Sequence, residues 1–145
     1  MNKERILNQL KIDEGFKSIP YWDRTQWTYG YGCKAPNKNA RISEPDAAKL
    51  LSKRLDQSIS EYNSIFKNCK VNIDETRECA IVNMIFNLGK AGFLEFKTTL
   101  RNMFNGKWID AANSARKSLW YKQIGKRSVR ICKEIEQGDS LYKKE

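Results

Sequence analysis

The sequence predicts a predominantly helical α+β fold in a single domain. Three observations carry that expectation. Apolar residues recur at three- and four-residue steps through most of the chain. One short stretch, Tyr21 to Gly32, is rich instead in aromatic, strand-prone residues. With 145 residues, 40% hydrophobic and 30% charged, the chain can bury a core and is too apolar for disorder.

The elements follow in order. Ile6, Leu7, Leu10 and Phe16 form a stripe that predicts a first helix ending near Glu14 and Gly15. Tyr21 and Trp22 on one side and Trp27, Tyr29 and Tyr31 on the other predict two short strands, with Asp23 to Gln26 as their turn. Residues Cys33 to Ala40 are polar and turn-rich and read as a loop. Ser43 can cap a helix, Pro45 suits its first turn, and Glu44 and Asp46 complement its positive end. The apolar steps from Ala47 through Leu51, Leu55, Ile59 and Tyr62 extend that helix to about Phe66. Asp74 and Glu75 open a helix that is apolar nearly all round, as a buried central helix is, with Gly89 and Gly92 as its stop. A short helix closes at Gly106, and another spans Trp108 to Ser118. Trp120 to Gln123 reads as a break. The last helix runs from Arg127 to Gln137, with Val129, Cys132 and Ile135 inward and Gly138 as its stop.

The chemistry concentrates in one stretch. Glu14, at a helix end, and Asp23, beside a hairpin, can face one another, with the Thr28 hydroxyl close by. Glycoside hydrolysis needs such a pair: a protonated acid for the leaving oxygen and a carboxylate for the water or the sugar cation. A free glutamate has a pKa of roughly 4.3. Glu14 therefore needs partial burial or a negative neighbour to stay protonated at neutral pH.

Glu14, then Asp23, Thr28 and Gly30-Tyr31-Gly32 together resemble the catalytic segment of the T4-type phage lysozymes, the endolysins. Four residues separate Asp23 from Thr28 where the family usually has five, and Cys33 stands where it often has His. Asn83 to Gly89 resembles the family's cleft-lining helix end. Ser118 to Gln123, with Arg127 and Arg130, resembles its C-terminal region, so the likeness covers nearly the whole chain. It implies a lysozyme-like two-lobed fold: a small catalytic lobe over about 14–50, a linking helix over about 43–66, and a helical lobe over about 72–145 plus the N-terminal helix. It also implies a muramidase that cuts the β-1,4 bond between N-acetylmuramic acid and N-acetylglucosamine in peptidoglycan. Glu14 would be the general acid, and Asp23 with Thr28 would hold the water of an inverting reaction. Gly30, Phe86, Thr99 and Arg127 would meet substrate. An arginine near Glu14 favours its ionised form, so orientation or substrate contact is the better office for Arg127.

Charge and cysteines limit the alternatives. The formal charge is +10, and from Lys97 to Glu145 there are 12 Lys/Arg against 5 Asp/Glu, so the basic excess lies late in the chain. Such a protein is drawn to polyanions, including an anionic bacterial envelope. A nucleic-acid-binding module is the competing reading, but no recognition motif accompanies the charge. A lysozyme fold that keeps glycan binding without hydrolysis is the other. The chain has no His, which removes Ser-His-Asp and Cys-His hydrolases. Cys33, Cys69, Cys79 and Cys132 show no C-x-x-C spacing, so no metal and no cofactor is expected. A Cys69–Cys79 bridge is open on spacing, with reduced thiols expected. No secretory leader or membrane-spanning stretch reads out of the sequence. The resemblance therefore implies synthesis in a host bacterial cytoplasm and action at the cell wall after release by a holin. A monomer is expected, since no long exposed apolar surface stands out.

Overall fold

The computed structural model describes residues Met1 to Lys143 and shows the expected predominantly helical α+β fold. The chain divides into two compact units, Lys3–Gln57 and a second formed by Met1–Asn2 with the chain from Ser58 onward. The N-terminal helix falls in the first unit with the sheet, a different grouping from the one expected.

In the first unit, helix α1 (Lys3–Glu14) buries Ile6 and Leu10 and stops at Glu14, where Gly15 follows with φ of 69°. Strands β1 (Lys17–Trp22), β2 (Trp27–Gly30) and β3 (Cys33–Lys34) make an antiparallel sheet in that order. The Trp22–Trp27 pairing leaves Asp23 to Gln26 as the loop, as the sequence predicts. The register shifts between Lys17 and Tyr21, around Pro20, which has no N–H for the ladder. Strand β3 corrects the sequence expectation of a plain loop after Gly32. The tight turn through Tyr31 and Gly32 folds Cys33 back onto Tyr29. The 22-residue helix α2 (Glu44–Ile65) starts where predicted, and Ser43 Oγ accepts from the Asp46 amide at 3.3 Å. The boundary between the units falls within it.

The second unit is held by apolar packing. From Cys79 to Ile85 every residue of α3 (Glu75–Leu94) is buried. Phe66 stacks on Tyr62 at 4.9 Å and on Phe104 at 5.2 Å, and meets the buried Phe93 at 6.4 Å. Gly89 has non-helical angles, φ 77° and ψ 160°, and breaks α3 as expected, but the helix resumes through Gly92 to Leu94. Gly92 is thus no stop. Helices α4 (Lys97–Phe104) and α5 (Trp108–Arg116) lie close to their predicted spans.

Helix α6 (Leu119–Ile124) replaces the expected break. Ser118 caps it by accepting from the Tyr121 amide, and Trp120 is buried with its Nε1–H given to Asn87 Oδ1 at 2.7 Å. In α7 (Lys126–Gln137), Cys132 and Ile135 point inward with Ile131, whereas Val129 is 47% exposed, against expectation. A short 3-10 turn, Gly138–Tyr142, joins α7 to the start of α3. There Asp74 Oδ2 accepts from the Asp139 amide at 2.6 Å, and Asp139 Oδ1 accepts from the Thr76 amide at 3.0 Å. Arg77 donates to the carbonyls of Ile135 and Glu136, both at 2.8 Å, and lies 4.8 Å over the Trp108 ring. All four cysteines are free thiols. No single helix among the described residues is long and apolar enough to cross a membrane.

Candidate active site

The first unit assembles the Glu14, Asp23 and Thr28 stretch from three local devices. The first is the end of α1, which leaves Glu14 half-buried on its last turn. The second is the loop between β1 and β2. Asp23 Oδ1 accepts from the Thr25 and Gln26 amides at 3.0 and 2.9 Å and from the Thr25 hydroxyl at 2.9 Å. This side chain folds the loop around itself, as aspartates do in turns. The short connection also places Arg24 at φ of 87°, an uncommon backbone state for a residue with a Cβ.

The third device is the β1–β2 register. It brings Thr28 beside Tyr21 and buries it, with its hydroxyl donating to Asp23 Oδ2 at 2.6 Å. The four-residue spacing therefore still joins the hydroxyl to the carboxylate. Donation from the Thr28 hydroxyl, then from the Thr25 and Gln26 amides, holds the Asp23 carboxyl well below the usual carboxylate range. Asp23 is therefore held as its carboxylate. Its Oδ1 is occupied by three donors, while Oδ2 has one.

The Gly-Tyr-Gly turn closes this unit. Gly30 is buried, and a Cβ there would meet Ala47 Cβ at 3.1 Å, so Gly30 serves close packing of the turn on α2. Gly32 has φ of 79°, which favours glycine, and lies against Glu14: a Cβ on it would stand 3.4 Å from Glu14 Oε2. Between them Tyr31 packs on Phe16 at 5.6 Å and donates its hydroxyl to Glu44 Oε2 at 2.7 Å. Burial and the Glu44 carboxylate push the Tyr31 phenol up to about 12.

The remaining expected residues lie in the second unit. Arg127 donates through Nε to the buried Asn83 Oδ1 at 2.9 Å. Thr99 is buried, with its hydroxyl donating to Ser114 Oγ at 3.1 Å. It borders a groove of about 450 Å³ whose wall includes Phe96, Ser114 and Trp120. Phe96 and Trp120 meet edge to face at 5.9 Å. The sequence reading missed this aromatic wall by treating Trp120 as part of a break. Ser118, three residues before the amide it caps, was the signal for a helix there. Phe86 is half-buried on α3 and is not among the groove's lining residues. Among the described residues, no group of three or more His, Cys, Asp or Glu could hold a metal ion.

Comparison with known proteins identifies the family. Residues 11–134 match the family model of phage lysozymes. A probable T4-type lysozyme 2 of Dictyostelium discoideum is 31% identical over 92% of this chain and 94% of its own length. A probable T4-type lysozyme 1 of the same organism is 32% identical over 75% of this chain and 66% of its own length. The pre-baseplate central spike protein Gp5 of Enterobacteria phage T4 is 29% identical over 92% of this chain, which spans 28% of that longer protein. With the match running from the last turn of α1 into α7 and the carboxylate–hydroxyl pair inside it, this chain belongs to the phage lysozyme family.

Proposed function

We propose that the protein is a muramidase, hydrolysing the β-1,4 bond between N-acetylmuramic acid and N-acetylglucosamine in bacterial peptidoglycan. The observation that carries the reading is the 2.6 Å bond from the Thr28 hydroxyl to Asp23 Oδ2. Thr28 spends its only hydrogen on Asp23, so its oxygen is left to accept one. Asp23 Oδ2 also keeps acceptor capacity. A water that donates one hydrogen to each has its lone pair free for the anomeric carbon. Glu14 protonates the leaving oxygen from the other side, and this water adds to the oxocarbenium-like carbon as its proton passes to Asp23, which inverts the centre. Inversion requires carboxyl groups about 6.5–9.5 Å apart to admit the water.

The site needs no cofactor. The net charge of +10 supports attraction to the anionic envelope. Phe86, Thr99 and Arg127 are proposed glycan contacts, with Thr99 reached through the groove it shares with Phe96 and Trp120. The biological setting we propose is host lysis by an endolysin, made in the host bacterial cytoplasm and released to the wall by a holin, acting as a monomer.

The test is clearing of purified peptidoglycan by wild type beside Glu14→Gln, with released fragments analysed by mass. The expected result is clearing by wild type alone, with reducing muramic acid ends. Anhydro-muramic ends would replace hydrolysis with transglycosylation and leave the Asp23 water without a task. A folded wild type that binds peptidoglycan and clears nothing would make this a glycan-binding relative.

A further inference from the structure

We infer that Arg54 is a positioning residue for Glu14, acting by holding the Tyr31–Gly32–Cys33 turn beneath the Glu14 carboxylate; this rests on the muramidase reading. Arg54 lies on α2, ten residues after its first residue Glu44. Its Nη1 donates to the Tyr31 carbonyl at 3.2 Å and reaches the Gly32 carbonyl at 3.5 Å and Cys33 Sγ at 3.8 Å. One guanidinium nitrogen thus grips three consecutive residues of the turn.

The same nitrogen approaches Glu14. The Cβ position of Gly32 is 3.4 Å from Glu14 Oε2 and 3.9 Å from Arg54 Nη1. The guanidinium and the carboxylate therefore stand closer together than the Debye length of about 8 Å in physiological salt. The turn is anchored elsewhere too. Tyr31 is pinned by Phe16, by its own bond to Glu44, and through Glu44 by Lys11 at 3.8 Å. Those anchors fix the Tyr31 side chain. Arg54 fixes the carbonyls on the stretch that faces Glu14.

The choice of residue fits the geometry. A planar guanidinium holds its Nη1 rigidly against the turn, whereas a lysine ammonium is a compact point charge on a flexible stem. A general acid displaced by about 1 Å can lose a hundredfold in rate. A brace on the backbone under Glu14 is therefore worth more to catalysis than to stability. Arg54 is exposed, so its surface contacts add little to folding.

The experiment compares wild type, Arg54→Lys, Arg54→Met, Glu14→Gln and the Glu14→Gln/Arg54→Met double variant on suspended peptidoglycan. Rates are measured at saturating and limiting substrate, and amide hydrogen exchange is followed at Gly32 and Cys33. Arg54→Met is expected to lose about tenfold in kcat, with KM within about twofold and a thermal midpoint close to wild type. Arg54→Lys should recover part of the rate. In the Glu14→Gln background, which has no clearing to lose, Arg54→Met should leave peptidoglycan binding unchanged, because its effect passes through Glu14. Faster exchange at Gly32 and Cys33 in Arg54→Met would show the released turn. An unchanged kcat in Arg54→Met, or binding about tenfold weaker in the double variant than in Glu14→Gln, overturns the inference while leaving the muramidase reading intact. A folded wild type that clears nothing overturns that reading and, with it, the service to Glu14. Unchanged exchange in an otherwise active protein overturns the brace alone.

Discussion

The two compact units hold their shape by different means. In the unit from Ser58 onward, α3 is buried from Cys79 to Ile85, and Phe66, Phe93 and Phe104 form a continuous aromatic cluster. Many small dispersion contacts add up there, and no single polar bond decides the result. In Lys3–Gln57, strand β1 buries only Pro20 of its six residues, while Ile19 and Trp22 are each 57% exposed. The hairpin is shaped instead by individual hydrogen bonds to Asp23, by Tyr31 on Glu44, and by Arg54 on the turn. Where few contacts hold a group, each one sets its position. Removing a contact should disturb stability in the helical unit and chemistry in Lys3–Gln57.

The largest test of that contrast is Phe93→Ala, which opens a cavity in the helical unit. It should cost about 3–5 kcal/mol in urea unfolding, with peptidoglycan clearing per folded molecule unchanged. Asp23→Asn is the mirror case. It should lower clearing by about a hundredfold or more while the urea midpoint moves little. A variant that lost both equally would erase the distinction between the units.

Next in size is Gly138→Ala, at the lock between α7 and α3. A Cβ there would stand 2.5 Å from Asp74 Oδ2 and 2.7 Å from Arg77 Nη1, at φ of 60°. A loss of about 1–3 kcal/mol is expected, read by thermal unfolding, with activity preserved below the transition.

A smaller effect follows from titration of Asp23. Its folded value is depressed by the Thr28 hydroxyl first and the Thr25 and Gln26 amides next. The unfolded chain releases this proton near pH ~3.9. Above that pH the hydrogen-bonded carboxylate contributes its full stabilisation, and the contribution is lost as pH falls toward the lower folded value. The stability difference between wild type and Asp23→Asn should thus be constant near neutrality and shrink below about pH 4. A difference that grew in acid would contradict the assignment. Least of all, Val129→Ser on the exposed face of α7 should change stability by no more than about 0.5 kcal/mol, in contrast to its neighbour Ile131.

The sequence marked the elements whose signals are local. A Gly after Glu14 and a capping Ser43 fix helix ends from neighbouring residues, and four polar residues between two aromatic runs set a hairpin. The Asp23–Thr28 pairing was equally legible, because a strand register carries it across five positions. Less legible were elements decided by distant partners. Trp120 looks like a break until Asn87, 33 positions away, accepts its indole N–H. Strand β3 exists because Gly30 and Gly32 turn the chain back on Tyr29. Val129 fits an inward stripe on periodicity, yet faces solvent because Ile131, Cys132 and Ile135 already fill the buried side of α7.

By itself, then, the sequence determined the order of the longer helices and the β1–β2 hairpin, the segment from Glu14 to Gly32, and the carboxylate–hydroxyl pair, since propensity, capping and register act over a few residues. Tertiary structure alone decided how the Gly-Tyr-Gly turn is gripped and what lies under Glu14. Arg54 is 22 positions from the Gly32 carbonyl it reaches, and on α2 it reads as one more charged residue on a solvated face. Which carbonyl a guanidinium meets depends on how helix and sheet pack, and packing sums contacts that no short stretch of sequence contains.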